Sequence, residues 1–424
     1  MRKALILTRN FPPYLCGDAS RVLKIASNLP AIGWESIVVA PPAVAGVAPL
    51  LPAAAARLLE VHRTGPDIEA SKLDAGDRND LLHGREVAAL RPLASRLAGV
   101  FGNGRDGAAW LKGAASLVGK LLAENPEIDL LYAQGPPLEP LQLALETARK
   151  HHLTVVFDIT APLDPAMPAP GAPATSAAAR SEESIMLSGV PMTTTTRALK
   201  EYFLKKYIGR LDHGSITIVP PSFDSAHPAF RDASVRDDGV MRIALLVDDL
   251  PKADLKAAVA GLEAWARTGG ATAGTVELMA FGEGVGELLR LSARSTIKPL
   301  LAVPSGMDGD QLRLCRRAGL FCALLGRTPG NACTIPDRLV DALGMGLPLC
   351  AVLPDGPAAR LVAEAGGSTA PAGDAAAIAG MFGSLHAAWR SGSLRGASAE
   401  LAARHSAVGV IHELTRAIAG QHVS

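Results

Sequence analysis

The chain has 424 residues, of which 48% are hydrophobic and 20% charged, so it has enough apolar material for sizeable cores and too little charge for global disorder. Its 42 basic and 41 acidic residues leave a formal net charge of +1, without the basic excess that is typical of nucleic-acid-binding proteins. At roughly 150 residues per domain, this length indicates two or three domains.

Cysteine content and hydropathy indicate a reducing compartment and no membrane span. The five cysteines are odd in number and include no Cys-x-x-Cys pair, which argues against a disulfide framework and a structural zinc site. The longest uncharged run, residues 36–56, contains four prolines that would interrupt a spanning helix. Arg9 follows only five uncharged residues, too few for the core of a signal peptide. We therefore expect a cytoplasmic protein, with peripheral contact at the inner membrane left open.

The first half of the chain alternates apolar runs with helical periodicity. Residues 4–7 predict a buried strand, 11–17 a loop rich in helix breakers, and the following apolar spacing a helix that stops at Gly33. A strand at 37–40 completes a β-loop-α-β unit, the beginning of a doubly wound parallel sheet. Further strands are predicted at 129–133, 154–158, 190–194 and 216–219, with helices between them.

A second alternating series begins at residue 241, after a polar, proline-punctuated stretch. It predicts an α/β fold of two doubly wound parallel sheets that face each other across a cleft, with ligands at the carboxyl ends of the strands. We place the first domain at 1–222, the linker at 223–240, the second domain at 241–395, and at 396–424 a C-terminal helix for which packing back on the first domain is an open option.

Standard nucleotide motifs are missing. The chain has no GxxxxGK[ST] sequence, which argues against phosphoryl transfer of the P-loop kind. Gly282, Gly284 and Gly286 follow a predicted strand, but a dinucleotide fingerprint needs a further glycine where Glu287 stands. A tight strand-to-helix turn is therefore the better interpretation of these glycines.

Two other segments have a functional and a structural interpretation. In the loop at 11–17, Gly17 would let a ligand approach the N–H groups of the next helix. The structural interpretation, a proline-rich turn with a glycine for steric reasons, is slightly favoured. In the segment 334–348, Thr334 would cap a helix that has Pro336 in its first turn, Arg338 would contact a diphosphate, and Asp341 would bind a ribose diol. An ordinary surface helix with an Arg–Asp pair explains the second segment equally well.

Taken together, these segments resemble bacterial glycosyltransferases of the GT-B fold and family 4 type, which assemble polysaccharides and lipopolysaccharides. One similar stretch is FPPYLCGDASRVLKIASNLPAIGWE and another is IPDRLVDALGMGLPL, which matches the helix that binds the donor in that family. The resemblance covers nearly the whole chain, and its stretches occur in the family's order at 11–35, 106–110, 128–140, 153–165, 216–224 and 335–349.

This resemblance implies two Rossmann-like domains and transfer of a sugar from a nucleoside-diphosphate sugar to an acceptor hydroxyl, with retention of configuration. It implies no cofactor and no bound metal, so helix N–H groups and basic side chains would stabilise the diphosphate. The acceptor would be a glycan or a lipid-linked glycan of the envelope or exopolysaccharide. The resemblance assigns no catalytic residue. It assigns donor binding to Pro336, Arg338, Asp341 and Lys252, and the acceptor side of the cleft to Gly17, Arg21, Gln134 and Asp158.

The chain also departs from the family pattern. Cys333 stands where the first glutamate of the family's Glu-x7-Glu motif would fall, and Asp341 replaces the second. The basic pair expected after the first strand of the second domain is reduced to Lys252, beside Asp248 and Asp249. A catalytically degenerate protein that acts as a binding or scaffold partner is therefore the alternative.

A basic, amphipathic stretch at 85–105 has two interpretations as well. It would contact an anionic bilayer and a lipid-linked acceptor, or it would pack on the first sheet with its arginines in solvent. The second interpretation is favoured, because strong segregation of apolar and basic residues is common to both cases and does not by itself indicate a membrane.

Overall fold

The computed structural model describes residues 2–14, 17–42, 44–45, 59–65, 68–69, 105–164, 176–231, 238–269, 271–272, 274–303 and 311–419. The predicted amphipathic stretch at 85–105 lies outside these residues, except for its last residue. The chain divides into two compact units, residues 1–222 with 407–424 and residues 223–406.

The strands and helices alternate along both units. The strands are β1 (Arg2–Leu7), β2 (Trp34–Ala40), β3 (Val44–Ala45), β4 (Leu59–Arg63), β5 (Ile68–Glu69), β6 (Ile128–Gly135), β7 (Thr154–Ile159), β8 (Met192–Thr194), β9 (Ile216–Ile218), β10 (Met241–Asp248), β11 (Val276–Phe281), β12 (Leu301–Ala302), β13 (Phe321–Leu325), β14 (Leu349–Leu353) and β15 (Ser368–Pro371). The helices are α1 (Gly17–Asn28), α2 (Arg105–Glu124), α3 (Glu139–His151), α4 (Ala177–Met186), α5 (Arg197–Lys206), α6 (Lys252–Gly269), α7 (Val285–Ser292), α8 (Gln311–Ala318), α9 (Asp337–Gly344), α10 (Pro357–Glu364), α11 (Ala375–Arg390), α12 (Ala399–Ala403) and α13 (Ala407–Ala419).

The first unit contains a parallel sheet in the order β4-β2-β1-β6-β7-β8-β9. Residues 4–7 of β1 are fully buried, as expected for a parallel strand covered on both faces. The chain reverses its direction of progress across the sheet between β1 and β6, which defines the topological switch point of this unit.

The second unit repeats this plan with a parallel sheet in the order β12-β11-β10-β13-β14-β15. Its switch point lies between β10 and β13. The predicted α/β fold class with two Rossmann-like parallel sheets is therefore confirmed, while the predicted cleft between them stays a prediction.

Residues of the predicted linker and of the predicted C-terminal helix are buried in the cores of the two units. Phe223 and Ala229 are buried in the core of the second unit, in the segment predicted as a linker. Within 396–424, α12 belongs to the second unit, whereas α13 packs Val410 and Leu414 into the core of the first.

Two predicted turns differ in detail from the sequence expectation. Gly282 has a φ of 105°, and a side chain there would collide with Asp248, so the interpretation as a tight turn is confirmed. Pro336, not Thr334, is the N-cap of α9, and the hydroxyl of Thr334 donates to the carbonyl of Gly330 at 3.0 Å. The expected Thr334 cap is therefore wrong. No helix among the described residues is long and apolar enough to cross a bilayer.

Candidate functional site

The switch point of the first unit carries a small polar cluster at the ends of β1 and β6. Gln134 is fully buried, and its Oε1 lies 3.1 Å from the hydroxyl of Thr8. The side chain of Asn10 donates to the carbonyl of Pro136 at 3.2 Å, which joins the two loops that leave these strands. The Nε2 of Gln134 has no hydrogen-bond partner within the part of the chain that the structure describes.

Arg21 and Asp158, both predicted to line the acceptor side, are paired with each other inside the first unit. Nε and Nη2 of Arg21 donate to the two carboxylate oxygens of Asp158 at 2.8 and 2.7 Å. The hydroxyl of Thr193 donates to the same carboxylate at 2.7 Å. Burial alone would raise the pKa of Asp158, but the charge and hydrogen bonds of Arg21 outweigh it and lower this pKa. The pair therefore remains ionised although Asp158 is inaccessible to solvent.

Helix α1 also holds the chain segment that ends the first unit. Nη1 of Arg21 donates to the carbonyl of Pro220 at 3.3 Å, and the buried amine of Lys24 donates to that of Ser222 at 2.6 Å. Gly17 is the exposed first residue of the same helix. The structure thus brings Arg21 and Asp158 together, with Gln134 opposite Asp158 in the β6–β7 register, and their contact with a ligand stays a prediction.

A second buried ionic cluster in the first unit was missed by the sequence reasoning. Glu182 is inaccessible to solvent and accepts hydrogen bonds from the main-chain N–H of Asp164 and the hydroxyl of Tyr207, each at 2.6 Å. It also forms an ion pair with Lys206. The cluster fixes the beginning of the loop that follows β7. Glu182 lies on a helix with several other polar residues, so nothing in the sequence indicated that its carboxylate would be buried.

In the second unit, the acidic pair Asp248–Asp249 at the end of β10 is used within the fold. Asp248 accepts a hydrogen bond from the main-chain N–H of Glu283 at 2.7 Å. The carboxylate of Asp249 accepts from the hydroxyl of Thr328 at 2.7 Å, and its carbonyl accepts from the N–H of Gly326. These bonds tie together the loops that follow β10, β11 and β13, so both carboxylates already have hydrogen-bond donors in the fold.

Arg327 is a basic residue at this edge that the sequence reasoning missed. Its main-chain N–H donates to Oδ2 of Asp254 at 2.6 Å, while Nε and Nη2 donate to Oδ1 at 2.9 and 2.6 Å. Burial would raise the pKa of Asp254, but these bonds outweigh it and lower the pKa. The sequence shows that Arg327 lies in a polar loop after an apolar run, which could have marked it as a candidate. It gives no indication of the ion pair with Asp254, which is 73 residues away.

Lys252 is exposed and is the first residue of α6, four positions after the end of β10. It forms no ion pair with any described residue. A cation at a helix N-terminus is unfavourable for the helix, because the dipole is positive there. After the hydrogen bond and charge of Arg290, the charge of Lys252 helps to lower the pKa of Glu287. The amine of Lys252 is nevertheless exposed and accessible to an anion.

The two predicted donor residues of α9 are bonded to each other. Nη1 of Arg338 donates to Oδ2 of Asp341 at 2.8 Å, and Nε donates to the side chain of Gln311 at the same distance. Burial would lower the pKa of Arg338, but the charges of Asp341 and Asp337 outweigh it and raise this pKa. Asp341 is fully buried and Arg338 is partly buried, so the Arg–Asp pair noted in the sequence does not lie on an exposed helix face. Donor binding by these residues stays a prediction.

Cys333 occupies the position of the missing glutamate as a neutral thiol. Its side chain is buried, and Sγ lies 3.3 Å from the carbonyls of Pro329 and Gly330. Burial raises the pKa of this thiol to about 11, so it carries no charge at neutral pH. No three His, Cys, Asp or Glu side chains within the described ranges are close enough together to hold a metal ion.

Comparison with known proteins gives similarity in fold alone. No model of a protein family matches the sequence, and no curated protein matches it. The chain is similar to HepE from Anabaena in complex with UDP and glucose, with a TM-score of 0.62 and 13% identity over 99% of this chain and 100% of that one. Sucrose-phosphate synthase from Thermosynechococcus elongatus gives 0.57 and 12% over 100% and 97% of the chains. A glycosyltransferase from Rickettsia africae gives 0.55 and 12% over 99% and 97%.

Both units and nearly every residue take part in this similarity, and the two sheets have the strand order of Rossmann-like domains. The chain therefore has the GT-B fold of glycosyltransferases, as the sequence resemblance predicted. At 12–13% identity this similarity defines the fold, and a fold of this kind hosts more than one reaction.

Proposed function

We propose that the chain binds a nucleoside-diphosphate sugar in its second unit and transfers the sugar to a hydroxyl of a glycan or lipid-linked acceptor in envelope or exopolysaccharide biosynthesis. The observation that carries this proposal is the full-length similarity of both units to a GT-B structure that contains UDP and glucose. The family-like stretches of the sequence support it independently.

The charges around the switch point of the second unit indicate how the diphosphate would be bound. Arg327 and Arg338 are each neutralised by an aspartate, whereas Lys252 is an exposed cation. A lysine beside the diphosphate would stabilise the negative charge that develops on the leaving group. Lys252 is therefore the residue that we assign to the donor diphosphate.

Retention of configuration and independence of metal ions follow from the family resemblance and belong to this proposal. Both have direct tests. The anomeric configuration of the product is read by proton NMR, and the rate is measured with and without a chelator. Inversion of the product would overturn retention, and loss of turnover that is restored by a divalent ion would overturn metal independence.

The main test uses the full chain and a panel of UDP-, GDP- and dTDP-sugars. Calorimetry measures binding of each donor, and release of the nucleoside diphosphate measures turnover, with and without oligosaccharide or lipid-linked acceptors. We expect one nucleotide to bind in preference to the others and its sugar to be transferred. Absence of binding for every donor would contradict the proposal.

A second candidate function, a binding or scaffold partner without turnover, is favoured by one observation. Cys333 is a buried, neutral thiol at the position of the family's motif glutamate, so no carboxylate is available there. Donor binding without turnover in the panel, together with a partner transferase recovered by pull-down, would support this candidate. A gain of turnover in Cys333→Glu but not in Cys333→Ser would support it too, provided that both variants show the wild-type melting temperature.

A further inference from the structure

A pocket lies at the carboxyl ends of β14 and β15, on the outer side of the switch point of the second unit. Its volume is about 320 Å³, near the lower end of the roughly 300 to 1,000 Å³ of small-molecule sites. Leu353, Ala370 and Pro371 contribute apolar walls, and polar groups come from three other residues. The size fits one small molecule or one unit of a larger one.

Arg327 presents a fixed guanidinium to this pocket. Asp254 holds its Nε and Nη2, and a Cβ on Gly373 would lie 2.7 Å from Cζ, so the group is packed closely against the main chain. The side chain is nevertheless 60% exposed, and Nη1 forms no hydrogen bond to any described residue. A donor that is rigid on one side and open on the other is preorganised for a ligand.

Asp355 and Thr369 complete the polar lining. Both side chains are exposed, and neither forms a hydrogen bond or ion pair within the described part of the chain. The pocket therefore combines two guanidinium N–H donors, a carboxylate acceptor and a hydroxyl that can donate or accept a hydrogen bond.

The charges decide between an anionic and a neutral occupant. Asp254 neutralises Arg327, so the carboxylate of Asp355 leaves the pocket with a net negative charge. An anion would be repelled, whereas a group that both donates and accepts hydrogen bonds satisfies all three polar side chains. A sugar ring has such hydroxyls, and its C–H groups fit the apolar walls.

We propose that this pocket binds a single neutral monosaccharide unit. Hydroxyls of the sugar donate to Asp355 and accept from Nη1 of Arg327, and Thr369 contributes one further hydrogen bond. This site goes beyond the proposed transfer reaction, because its occupation requires neither a nucleotide nor turnover.

The test is a titration of the full chain with glucose, galactose, mannose and N-acetylglucosamine, followed by saturation-transfer NMR. Glucose 6-phosphate and glucuronic acid serve as charged counterparts. We expect one neutral sugar to bind with a dissociation constant on the order of 1 mM, and the charged counterparts several-fold more weakly. Asp355→Ala should weaken the binding of the neutral sugar about tenfold. The matched control is Glu364→Ala, which removes a charge from the exposed end of α10 and should have no effect.

Three results would overturn the inference: no saturable binding of a neutral sugar, equal binding by wild type and Asp355→Ala, or tighter binding of the charged sugars. Thr369→Val provides a second variant whose expected loss is several-fold. The panel of UDP-, GDP- and dTDP-sugars is titrated into the same wild-type protein. Absence of binding for every nucleotide donor, with binding of the neutral sugar retained, would contradict the proposed function and leave this site standing. Binding of a nucleotide donor without binding of a neutral sugar would contradict this site and leave the proposed function standing.

Discussion

Arg21 and Asp158 form a bidentate ion pair that connects α1 to the middle of the first sheet, with N–O distances of 2.8 and 2.7 Å. Asp158 is inaccessible to solvent and also accepts a hydrogen bond from Thr193, so both of its carboxylate oxygens have donors within the fold. A pair of this kind positions the helix that begins at Gly17. Removal of one partner should therefore be strongly destabilising, because it leaves the other charge buried without its counter-ion.

We expect Asp158→Asn to destabilise the first unit by about 3–5 kcal/mol, because it leaves the Arg21 charge buried without its partner. Urea denaturation measures the loss in the free energy of unfolding. Hydrogen exchange, located by mass spectrometry, assigns that loss to one unit. The double variant Arg21→Met, Asp158→Leu should lose less than Asp158→Asn, since no unpaired charge remains. A loss confined to residues 223–406 would contradict this assignment.

The same carboxylate gives a pH dependence with a defined sign. The pKa of Asp158 is lowered below its ordinary 3.8, so its stabilisation is fully present above that pH and is lost as the pH falls through the folded-state pKa. The difference in stability between wild type and Asp158→Asn should therefore shrink below about pH 3.8 and stay constant above it. A difference that grows on acidification would contradict the lowered pKa.

The four thiols in the described part of the chain should be unreactive while it is folded. Cys315, Cys322, Cys333 and Cys350 are all buried, and the pKa of Cys333 is raised to about 11 by burial. In a Cys16→Ser background we expect no thiol to react with Ellman's reagent in the native protein at mildly alkaline pH, and all four to react in urea. Rapid labelling of Cys333, located by peptide mapping, would show that its position is accessible to a ligand after all.

The burial of His386 should make the stability of the second unit depend on pH. It is buried between α6 and α11, with its ring centroid 5.9 Å from that of Trp265, and burial followed by the charge of Arg390 lowers its pKa below 6.5. The unfolded chain then binds more protons, so stability is complete above pH 6.5 and is lost as the pH falls towards the folded-state pKa.

Thermal melting between about pH 5 and about pH 8 measures this effect. We expect His386→Phe to flatten the acid side of the profile because it removes the titrating group and keeps an aromatic ring. The exposed His412 on α13 provides the matched control, and His412→Gln should leave the slope unchanged. An unchanged slope in His386→Phe would assign the pH dependence to other groups.

The sequence predicted the alternation of the two sheets because strands buried on both faces appear as continuous apolar runs. Residues 4–7 and 243–247 are such runs, and the structure places them in β1 and β10. The strand β4 was not predicted, since it lies at the edge of its sheet, is only partly buried and contains alternating polar residues. Helix α9 was predicted from its spacing, apart from the identity of its cap.

The site was less accessible to sequence reasoning, because residue type does not give the direction of a side chain. Arg338 and Asp341 were visible as a pair three residues apart, but their burial was not. The pairs Arg21–Asp158 and Arg327–Asp254 connect residues 137 and 73 positions apart, so only the folded chain brings them together. Lys252 was assigned from the family resemblance, as what remains of the basic pair after the first strand of the second domain, and its donor binding stays a prediction.

Lys252 and Lys256 provide a comparison that separates binding from general charge. Both are exposed on α6, and Lys256 follows four residues later, so it lies about 6 Å farther along the helix from the end of β10. If the diphosphate binds at that end, Lys252→Gln should weaken binding of the nucleoside diphosphate about tenfold, whereas Lys256→Gln should change it little. Because the interaction is at the surface, the effect should shrink as salt is added.

Stability provides an independent measurement on the same two variants. Lys252 lies at the positive end of the helix dipole, so Lys252→Gln should raise the free energy of unfolding by about 0.3–1 kcal/mol while it weakens binding. Lys256 is beyond the first turn, where the dipole effect falls off, and Lys256→Gln should leave stability unchanged. Equal losses of binding in the two variants would show that the diphosphate responds to the net charge of the unit. A loss of binding together with a loss of stability in Lys252→Gln would assign a structural role to this lysine.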